Sequence, residues 1–265
     1  MKTVIYLALI GSLIVGGYWF SMTPGDPIKS ECLNDKAKKD IEDFVSNIKE
    51  ITELARVSDA LYGELPNKIS LDSGLDYVEN YNDEERSILI VFSGTEPNSI
   101  NDWENNVKQY FNQAANQYRD ADELVRDAIE KYPRYKIRLV GHSLGGSLAT
   151  YASLIHGTEA ITYAPTRLSA LSLRNAIERN PNLEETPVDN VEHITHIRVN
   201  GDVFTGNRAN PVSVLPGKQF IMETGEKIPT TAHAIKHIIE FLEHNGSSLS
   251  FKKVCQFYYG YNPHN

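Results

Sequence analysis

Apolar residues recur at helical spacing between residues 35 and 65, where they alternate with charged residues. This spacing predicts amphipathic helices that cover a sheet. Two apolar runs follow, at 75–81 and 86–92, and the acidic segment Asn82-Asp83-Glu84-Glu85 between them is typical of a turn. The two runs therefore predict a pair of strands that form a hairpin.

Strands and helices alternate after residue 119. The predicted elements are, in order, helix 119–132, strand 136–140, helix 147–154, strand 160–163, helix 168–179, strand 193–199 and helix 232–244, which ends at Asn245-Gly246. Alternation of this kind is typical of a mostly parallel sheet with crossover connections. The pattern therefore predicts the α/β class.

The composition agrees with a single α/β domain. The chain has 265 residues, of which 41% are hydrophobic and 23% are charged. Its formal net charge is −9, and a chain of this charge is not attracted electrostatically to nucleic acid or to an anionic membrane. We therefore expect no nucleic-acid partner.

Residues 1–27 have the composition of an export signal. Lys2 precedes an uncharged apolar run from Val4 to Phe20, and Pro24-Gly25-Asp26-Pro27 follows it. The run is slightly shorter than the roughly 20 residues that span a bilayer, and Tyr18-Trp19-Phe20 resembles an interfacial aromatic belt. No Ala-x-Ala site precedes a suitable cleavage point. We therefore expect an exported protein that is either membrane-anchored by this segment or secreted or periplasmic after its removal, with a slight preference for the anchor.

The chain has two cysteines, Cys32 and Cys255. In an oxidising compartment they can form a disulfide that closes most of the domain into one loop. Two free thiols are the alternative, and the sequence leaves both open.

The segment Gly141-His142-Ser143-Leu144-Gly145-Gly146 lies between a predicted strand and a predicted helix. This is the context of a nucleophile elbow, in which a sharp turn lifts a serine hydroxyl away from the backbone. The turn requires small residues two positions before and after Ser143, where the glycines stand. The N–H of Leu144, at the start of the helix, is then available to a developing oxyanion.

The order of residues after Ser143 suggests its partners. Two aspartates follow, and Asp202 comes directly after the strand that ends at Val199, whereas Asp189 precedes that strand. Functional loops lie at the carboxyl edge of a parallel sheet, so Asp202 is the better candidate acid. His233 lies at the start of the last predicted helix and is the candidate base, with His237 one turn later as a surface residue.

A zinc site at His233 and His237 is disfavoured, because position 234 is alanine and not the glutamate of a zinc protease. A second oxyanion donor is expected after the apolar strand 87–92, which ends in Ser93-Gly94-Thr95. The N–H of Thr95 fits this role because the second donor in such sites comes from a loop after an early strand.

Several motifs together resemble the class 3, or fungal-type, lipases over about residues 35 to 245. They are Ala55-Arg56-Val57-Ser58-Asp59-Ala60-Leu61-Tyr62, Phe92-Ser93-Gly94-Thr95 with Asp102-Trp103, the segment 141–146, Tyr163-Ala164-Pro165, Asn200-Gly201-Asp202 and Ala232-His233-Ala234-Ile235. The resemblance implies an α/β-hydrolase fold over residues 28–265, with a mostly parallel central sheet flanked by helices. It also implies Ser143, Asp202 and His233 as a triad, Thr95 and Leu144 at the oxyanion hole, and no cofactor or metal.

Members of that family cleave carboxylic esters of glycerides or phospholipids. The resemblance therefore implies a carboxylic ester hydrolase of the triacylglycerol lipase or phospholipase A type, whose partner is a lipid substrate. Two alternatives stay open: a carboxylesterase for short soluble esters, and a catalytically inactive anchored binding protein with the same fold.

The chain departs from the family pattern in two places. Ser93 stands where the family usually has an arginine, and the segment between Thr95 and Tyr118 is polar where the family often has an apolar lid helix. The second departure argues against activation at an oil–water interface. Apolar residues between Val203 and Ile228 either wall an acyl pocket or belong to the core.

Overall fold

A computed structural model of the chain describes Cys32 and residues 34–94, 103–180, 190–202, 213–224 and 232–259. The strands in these ranges are β1 (Ile69–Ser70), β2 (Asp76–Asn82), β3 (Ser87–Phe92), β4 (Lys136–His142), β5 (Glu159–Tyr163), β6 (Leu168–Ser169), β7 (Ile194–Val199), β8 (Ser213–Val214), β9 (Lys218–Met222) and β10 (Tyr258–Tyr259). The helices are α1 (Asp35–Ser46), α2 (Ile48–Ala60), α3 (Trp103–Lys131), α4 (Leu144–His156), α5 (Ala170–Arg179), α6 (Ile235–Asn245) and α7 (Phe251–Phe257).

Eight of the strands form the central sheet, in the order β1-β2-β3-β4-β5-β7-β9-β10. The five consecutive strands β3, β4, β5, β7 and β9 are parallel to one another. The outer pairs are antiparallel, including the predicted hairpin of β2 and β3, in which Asn82 lies opposite Ser87. The predicted α/β-hydrolase architecture, a mostly parallel central sheet flanked by helices, is confirmed.

Helices cover both faces of the sheet because the strands bury side chains on both sides. Val91 and Val140 point into a core that is shared with α1, α2, α6 and α7. Their neighbours Ile90 and Leu139 point into the opposite core, which α3 and α4 complete. The parallel strands therefore read as near-continuous apolar runs, and their carboxyl ends meet at one edge of the sheet.

Long-range pairing accounts for most differences from the sequence prediction. The predicted helix 168–179 begins with β6, because these two residues pair with β8, more than 40 positions later. The apolar stretch around Phe220, interpreted as pocket wall or core, contains β9, which pairs with β7. Helix α3 begins at Trp103 and not near residue 119.

Cys32 and Cys255 form a disulfide with their Cα atoms 5.9 Å apart. Both residues are fully buried, in the core that α1 and α7 share. The bond thus connects the beginning of the described chain to its last helix. This result decides between the two alternatives that the sequence left open.

The predicted export segment, residues 1–27, lies outside the described residues. Within the part of the chain that the structure describes, no helix combines the length and the apolar character needed to cross a membrane.

Candidate active site

Ser143 lies at the turn between β4 and α4, in a backbone conformation that L-residues rarely adopt. Its φ is 56° and its ψ is −123°. Two hydrogen bonds hold the turn: the Ser143 N–H donates to the Tyr163 carbonyl (3.1 Å), and the Thr166 N–H donates to the Ser143 carbonyl (3.1 Å). The strained turn is therefore fixed by the end of β5 and the segment that follows it, and it presents the hydroxyl above the sheet edge.

Close backbone packing explains the glycines around Ser143. A Cβ built on Gly141 would lie 2.4 Å from the carbonyl oxygen of Gly145. A Cβ built on Gly145 would lie 2.2 Å from the carbonyl oxygen of Phe92, at the end of β3. Neither position has room for a side chain, so the turn brings α4 directly against the sheet.

The structure brings the three side chains predicted to form a triad together. His233 Nε2 lies 2.8 Å from Ser143 Oγ. His233 Nδ1 lies 3.1 Å from Asp202 Oδ1 and 3.0 Å from Asp202 Oδ2. The imidazole therefore links the hydroxyl to the carboxylate, with Nδ1–H donating to Asp202 and the serine hydroxyl donating to Nε2.

Two separate turns of the backbone place Asp202 and His233 beside Ser143. Strand β7 ends at Val199, and Gly201 follows with a φ of +85°, so that Asp202 turns back toward the sheet edge. His233 directly precedes Ala234, the N-cap residue of α6. Both side chains come from the carboxyl edge of the sheet, as the order of residues along the chain predicted.

The three groups are shielded from water. Ser143 is 7% exposed, His233 is 2% exposed and Asp202 is 1% exposed. A buried carboxylate and imidazole interact more strongly than they would in water, because the local dielectric constant is lower. Arg198 adds positive charge nearby: burial lowers the pKa of its guanidinium to about 10, while the charge of Asp202 opposes this change.

Two backbone N–H groups, of Leu144 and Thr95, are predicted to bind the oxyanion, and the structure describes only the first. Leu144 is the first residue of α4, and the N–H groups of the first helical turn have no partner within their own helix. Thr95 lies outside the described residues, as does Asp189. Gly94, directly before Thr95, lies against the elbow, since a Cβ built there would be 3.1 Å from Ser143 Cβ.

The structure also answers two smaller predictions. His237, expected at the surface, is half-buried on α6, with Nδ1 3.6 Å from a carboxylate oxygen of Glu240. Among the apolar residues between 203 and 228, Leu215 is buried and Val214 packs on the core that contains α4. Residues 203–212 lie outside the described ranges.

Two further residues contact this site and were not singled out from the sequence. His142 Nε2 lies 2.8 Å from the backbone carbonyl oxygen of His233, and His142 Nδ1 lies 2.6 Å from the hydroxyl of Tyr62. Their only signal in the sequence was their place in the motifs at 55–62 and 141–146. A polar residue at the end of a buried strand, directly before the candidate nucleophile, could have drawn attention to His142.

The chain is similar in sequence to a known phospholipase. It is 32% identical over 102 residues to the extracellular phospholipase A1 of Serratia liquefaciens, which corresponds to 38% of this chain. The match spans only about a third of that enzyme, 31% of its length.

Solved structures that align with part of this chain include fungal lipases. The triacylglyceride lipase of Rhizomucor miehei gives a TM-score of 0.48 at 16% identity, covering 66% of this chain and 80% of the lipase. A triacylglycerol lipase of Penicillium expansum gives 0.46 at 15% identity, covering 68% and 81%.

The family model described as phospholipase-like, Tle-like phospholipase domain, matches residues 55–240. This range holds β2 to β9 and the candidate triad, and it is well over half of the chain. The predicted membership in a lipase family of the α/β-hydrolase type is confirmed, and the chain belongs to the family of Tle-like phospholipase domains.

Proposed function

We propose that the chain is a serine hydrolase that cleaves carboxylic ester bonds of lipids, with phospholipids as the substrate class. The observation that carries this proposal is the buried imidazole of His233, which lies within hydrogen-bond distance of both Ser143 Oγ and the Asp202 carboxylate. A hydroxyl, an imidazole and a carboxylate in this order are the groups needed for nucleophilic acyl transfer.

The reaction follows from the positions of the atoms. Ser143 Oγ attacks the ester carbonyl carbon while His233 Nε2 takes the hydroxyl proton, and Asp202 stabilises the resulting imidazolium. The tetrahedral intermediate collapses, the bond to the alcohol oxygen breaks, and His233 returns the proton to the leaving alcohol. Water then attacks the acyl-enzyme by the same route and releases the fatty acid.

The negative charge on the intermediate needs donors that are already in place. The Leu144 N–H is one, and the N–H of Thr95 is proposed as the other. The described position of Gly94 against Ser143 supports the second donor. Loss of one such donor typically lowers the rate by about 10²–10³-fold.

The comparisons favour a phospholipid over other esters. The family of the chain is phospholipase-like, and the matched relative from Serratia is an extracellular phospholipase A1. That relative and the apolar run from Val4 to Phe20 also support export of this chain. We propose that the protein acts outside the cytoplasm, either anchored by residues 1–27 or released from them.

The proposed function is tested with a fluorophosphonate probe and a substrate series. The protein is treated with the probe, and hydrolysis of phosphatidylcholine vesicles, triglyceride emulsions and a short nitrophenyl ester is measured. We expect stoichiometric labelling, phospholipid cleavage with release of fatty acid, and loss of both in Ser143→Ala, with kcat lowered by at least about 10⁴-fold.

Ser153→Ala is the matched control, because Ser153 is a buried serine of α4 whose hydroxyl donates to the Thr158 carbonyl. This variant should keep labelling and hydrolysis. Cleavage of the nitrophenyl ester alone would indicate that the substrate is a short soluble ester and not a lipid. Absence of labelling and hydrolysis in the folded protein would contradict the proposal and favour a binding protein.

A further inference from the structure

His142 is held between two elements of the site and contacts no reacting atom in the proposed mechanism. Its ring is buried, with Nε2 2.8 Å from the His233 carbonyl oxygen and Nδ1 2.6 Å from the Tyr62 hydroxyl. The rings of His142 and His233 lie 5.0 Å apart between centroids. His142 thus connects the segment after α2 to the backbone of the candidate base.

The partners determine where the ring proton of His142 lies. A carbonyl oxygen only accepts, so Nε2 carries the proton and donates it to His233. Nδ1 then has a lone pair and accepts the hydrogen bond that the Tyr62 hydroxyl donates. The Tyr62 hydroxyl thus satisfies the lone pair that this tautomer leaves on Nδ1, and it stabilises the form in which Nε2–H faces the His233 carbonyl oxygen.

We propose that Tyr62 and His142 are positioning residues for the hydrolysis described above: Tyr62 stabilises the Nε2–H tautomer of His142, and the Nε2–H of His142 holds the backbone of His233 so that its imidazole stays aligned between Ser143 and Asp202. This inference rests on the proposed function. Neither side chain takes part in bond making or in proton transfer.

The surroundings of His142 suit this role. Burial and the neighbouring His233 lower the pKa of His142 to about 3, although the Asp202 charge and the bond to the His233 carbonyl oppose the change. His142 therefore stays neutral at pH 7, with one N–H and one lone pair. It also does not place a second positive charge beside His233 when that residue takes the serine proton.

Further contacts, besides the hydrogen bond to His142 Nδ1, fix the position of Tyr62. Its N–H donates to the Asp59 carbonyl, and its ring meets the His142 ring edge to face at 5.6 Å. A Cβ built on Gly94 would lie 2.3 Å from the Tyr62 hydroxyl oxygen. The hydroxyl is therefore confined between the backbone before Thr95 and the imidazole of His142.

Two amide substitutions separate the two hydrogen bonds of His142. In His142→Gln the amide N–H₂ lies near the place of Nε2 and donates to the His233 carbonyl. In His142→Asn the amide reaches only the place of Nδ1, so the bond to His233 is lost while an acceptor for Tyr62 remains. We expect kcat for a nitrophenyl ester to fall about threefold in the first variant and about thirtyfold in the second, with KM changed less than twofold.

The tautomer is tested by combining substitutions. Tyr62→Phe should lower kcat about tenfold in the wild-type background, the effect of losing one hydrogen bond. In the His142→Gln background it should lower kcat less than twofold, because an amide has no ring tautomer for the Tyr62 hydroxyl to stabilise. Tyr77→Phe, at a buried tyrosine of β2, is the control and should leave kcat unchanged.

The same variants are compared by their rates of fluorophosphonate labelling, and folding is checked by circular dichroism and thermal melting. Equal losses from Tyr62→Phe in both backgrounds would indicate packing alone and overturn the inference, as would equal losses in the two His142 variants. In either case labelling of the wild type and its loss in Ser143→Ala would leave the proposed function standing. A folded wild type that is not labelled would overturn both. If Tyr62→Phe fails to fold, the comparison of the two His142 variants decides the question.

Discussion

Two buried aspartates, Asp202 and Asp122, differ in the side chains that they contact, and these contacts suggest different roles. Asp202 faces His233, whose other nitrogen faces Ser143. Asp122 accepts from His156 and from Arg179, at 2.7 Å each, and so connects three helices on one face of the sheet. Both carboxylates are almost fully buried, so burial alone does not distinguish a candidate triad residue from a carboxylate that joins helices.

We expect Asp202→Asn to lower activity and Asp122→Asn to lower stability. Asn at 202 favours the wrong tautomer of His233, so kcat should fall by about 10³-fold or more with little loss of stability. Asn at 122 weakens a buried charge network, so the free energy of unfolding should fall by about 2 kcal/mol while kcat is retained. Ester hydrolysis and urea denaturation of both variants measure the two effects, and similar profiles for the two would refute the distinction.

Another buried histidine, His196 on β7, makes stability depend on pH. Its Nε2–H donates to the Pro216 carbonyl, and its Nδ1 accepts from the Thr162 hydroxyl. Burial, together with the positive charges of Arg198 and Arg167, lowers the pKa of His196 to about 4, against the effect of the bond to Pro216. In the unfolded chain the pKa of histidine is about 6.5.

Between those two pKa values the unfolded chain binds a proton that the folded protein does not, so stability is complete above about pH 7 and falls as the pH decreases. From pH 7 to pH 5 we expect His196 to contribute a loss of about 2 kcal/mol. Urea denaturation at both pH values measures the total decrease in the free energy of unfolding, and this decrease should be about 2 kcal/mol smaller in His196→Gln. An unchanged difference between pH 7 and pH 5 in that variant would contradict the assignment.

At the scale of elements, the connection from β4 to α4 allows no side chain at its contact with β3. Gly145→Ala would place a Cβ 2.2 Å from the Phe92 carbonyl oxygen, and neither backbone segment can move without disturbing Ser143. We expect the variant to lose at least about 2 kcal/mol of stability and most of its fluorophosphonate labelling.

Gly63→Ala is the control for that substitution, because a Cβ there meets its nearest atom at 3.4 Å, an ordinary contact. It should keep labelling and stability. Full labelling of Gly145→Ala would show that the elbow has room that the structure does not show.

At the scale of the whole molecule, the disulfide joins the two ends of the domain. Cys32 and Cys255 are 223 positions apart and fully buried. A bond that closes so long a loop removes entropy from the unfolded chain, by about 5 kcal/mol on the chain-entropy model before native strain is subtracted. The bond therefore stabilises the whole domain and not one local element.

We expect the double variant Cys32→Ser/Cys255→Ser to melt well below the wild type while keeping kcat at temperatures where it is folded. Thermal melting and ester hydrolysis test this, with the wild type reduced under denaturing conditions as the reference. Because both sulfurs are buried, a reductant alone should not open the bond in the folded protein. An unchanged melting temperature in the double variant would contradict a stabilising role.

The local pattern was sufficient for elements whose signals lie close together in the chain. The hairpin of β2 and β3, the helices α1 and α2 and the elbow at Ser143 depend on alternation, turn residues and glycine spacing within about ten residues. Strands β6, β8 and β10 have two residues each, and they form because a distant partner is present. Their own sequence has no periodicity to detect.

The site divides in the same way. The sequence alone determined the strained turn at Ser143, the chain order of Ser143, Asp202 and His233, and a lipase family of the α/β-hydrolase type, because each of these depends on residue types in short-range motifs. Only the tertiary structure decided that Cys32 pairs with Cys255, and that His142 lies between the Tyr62 hydroxyl and the backbone carbonyl of His233. These contacts join residues 80 to 223 positions apart. Such distances are set by how the layers pack on the sheet, and no local pattern encodes them.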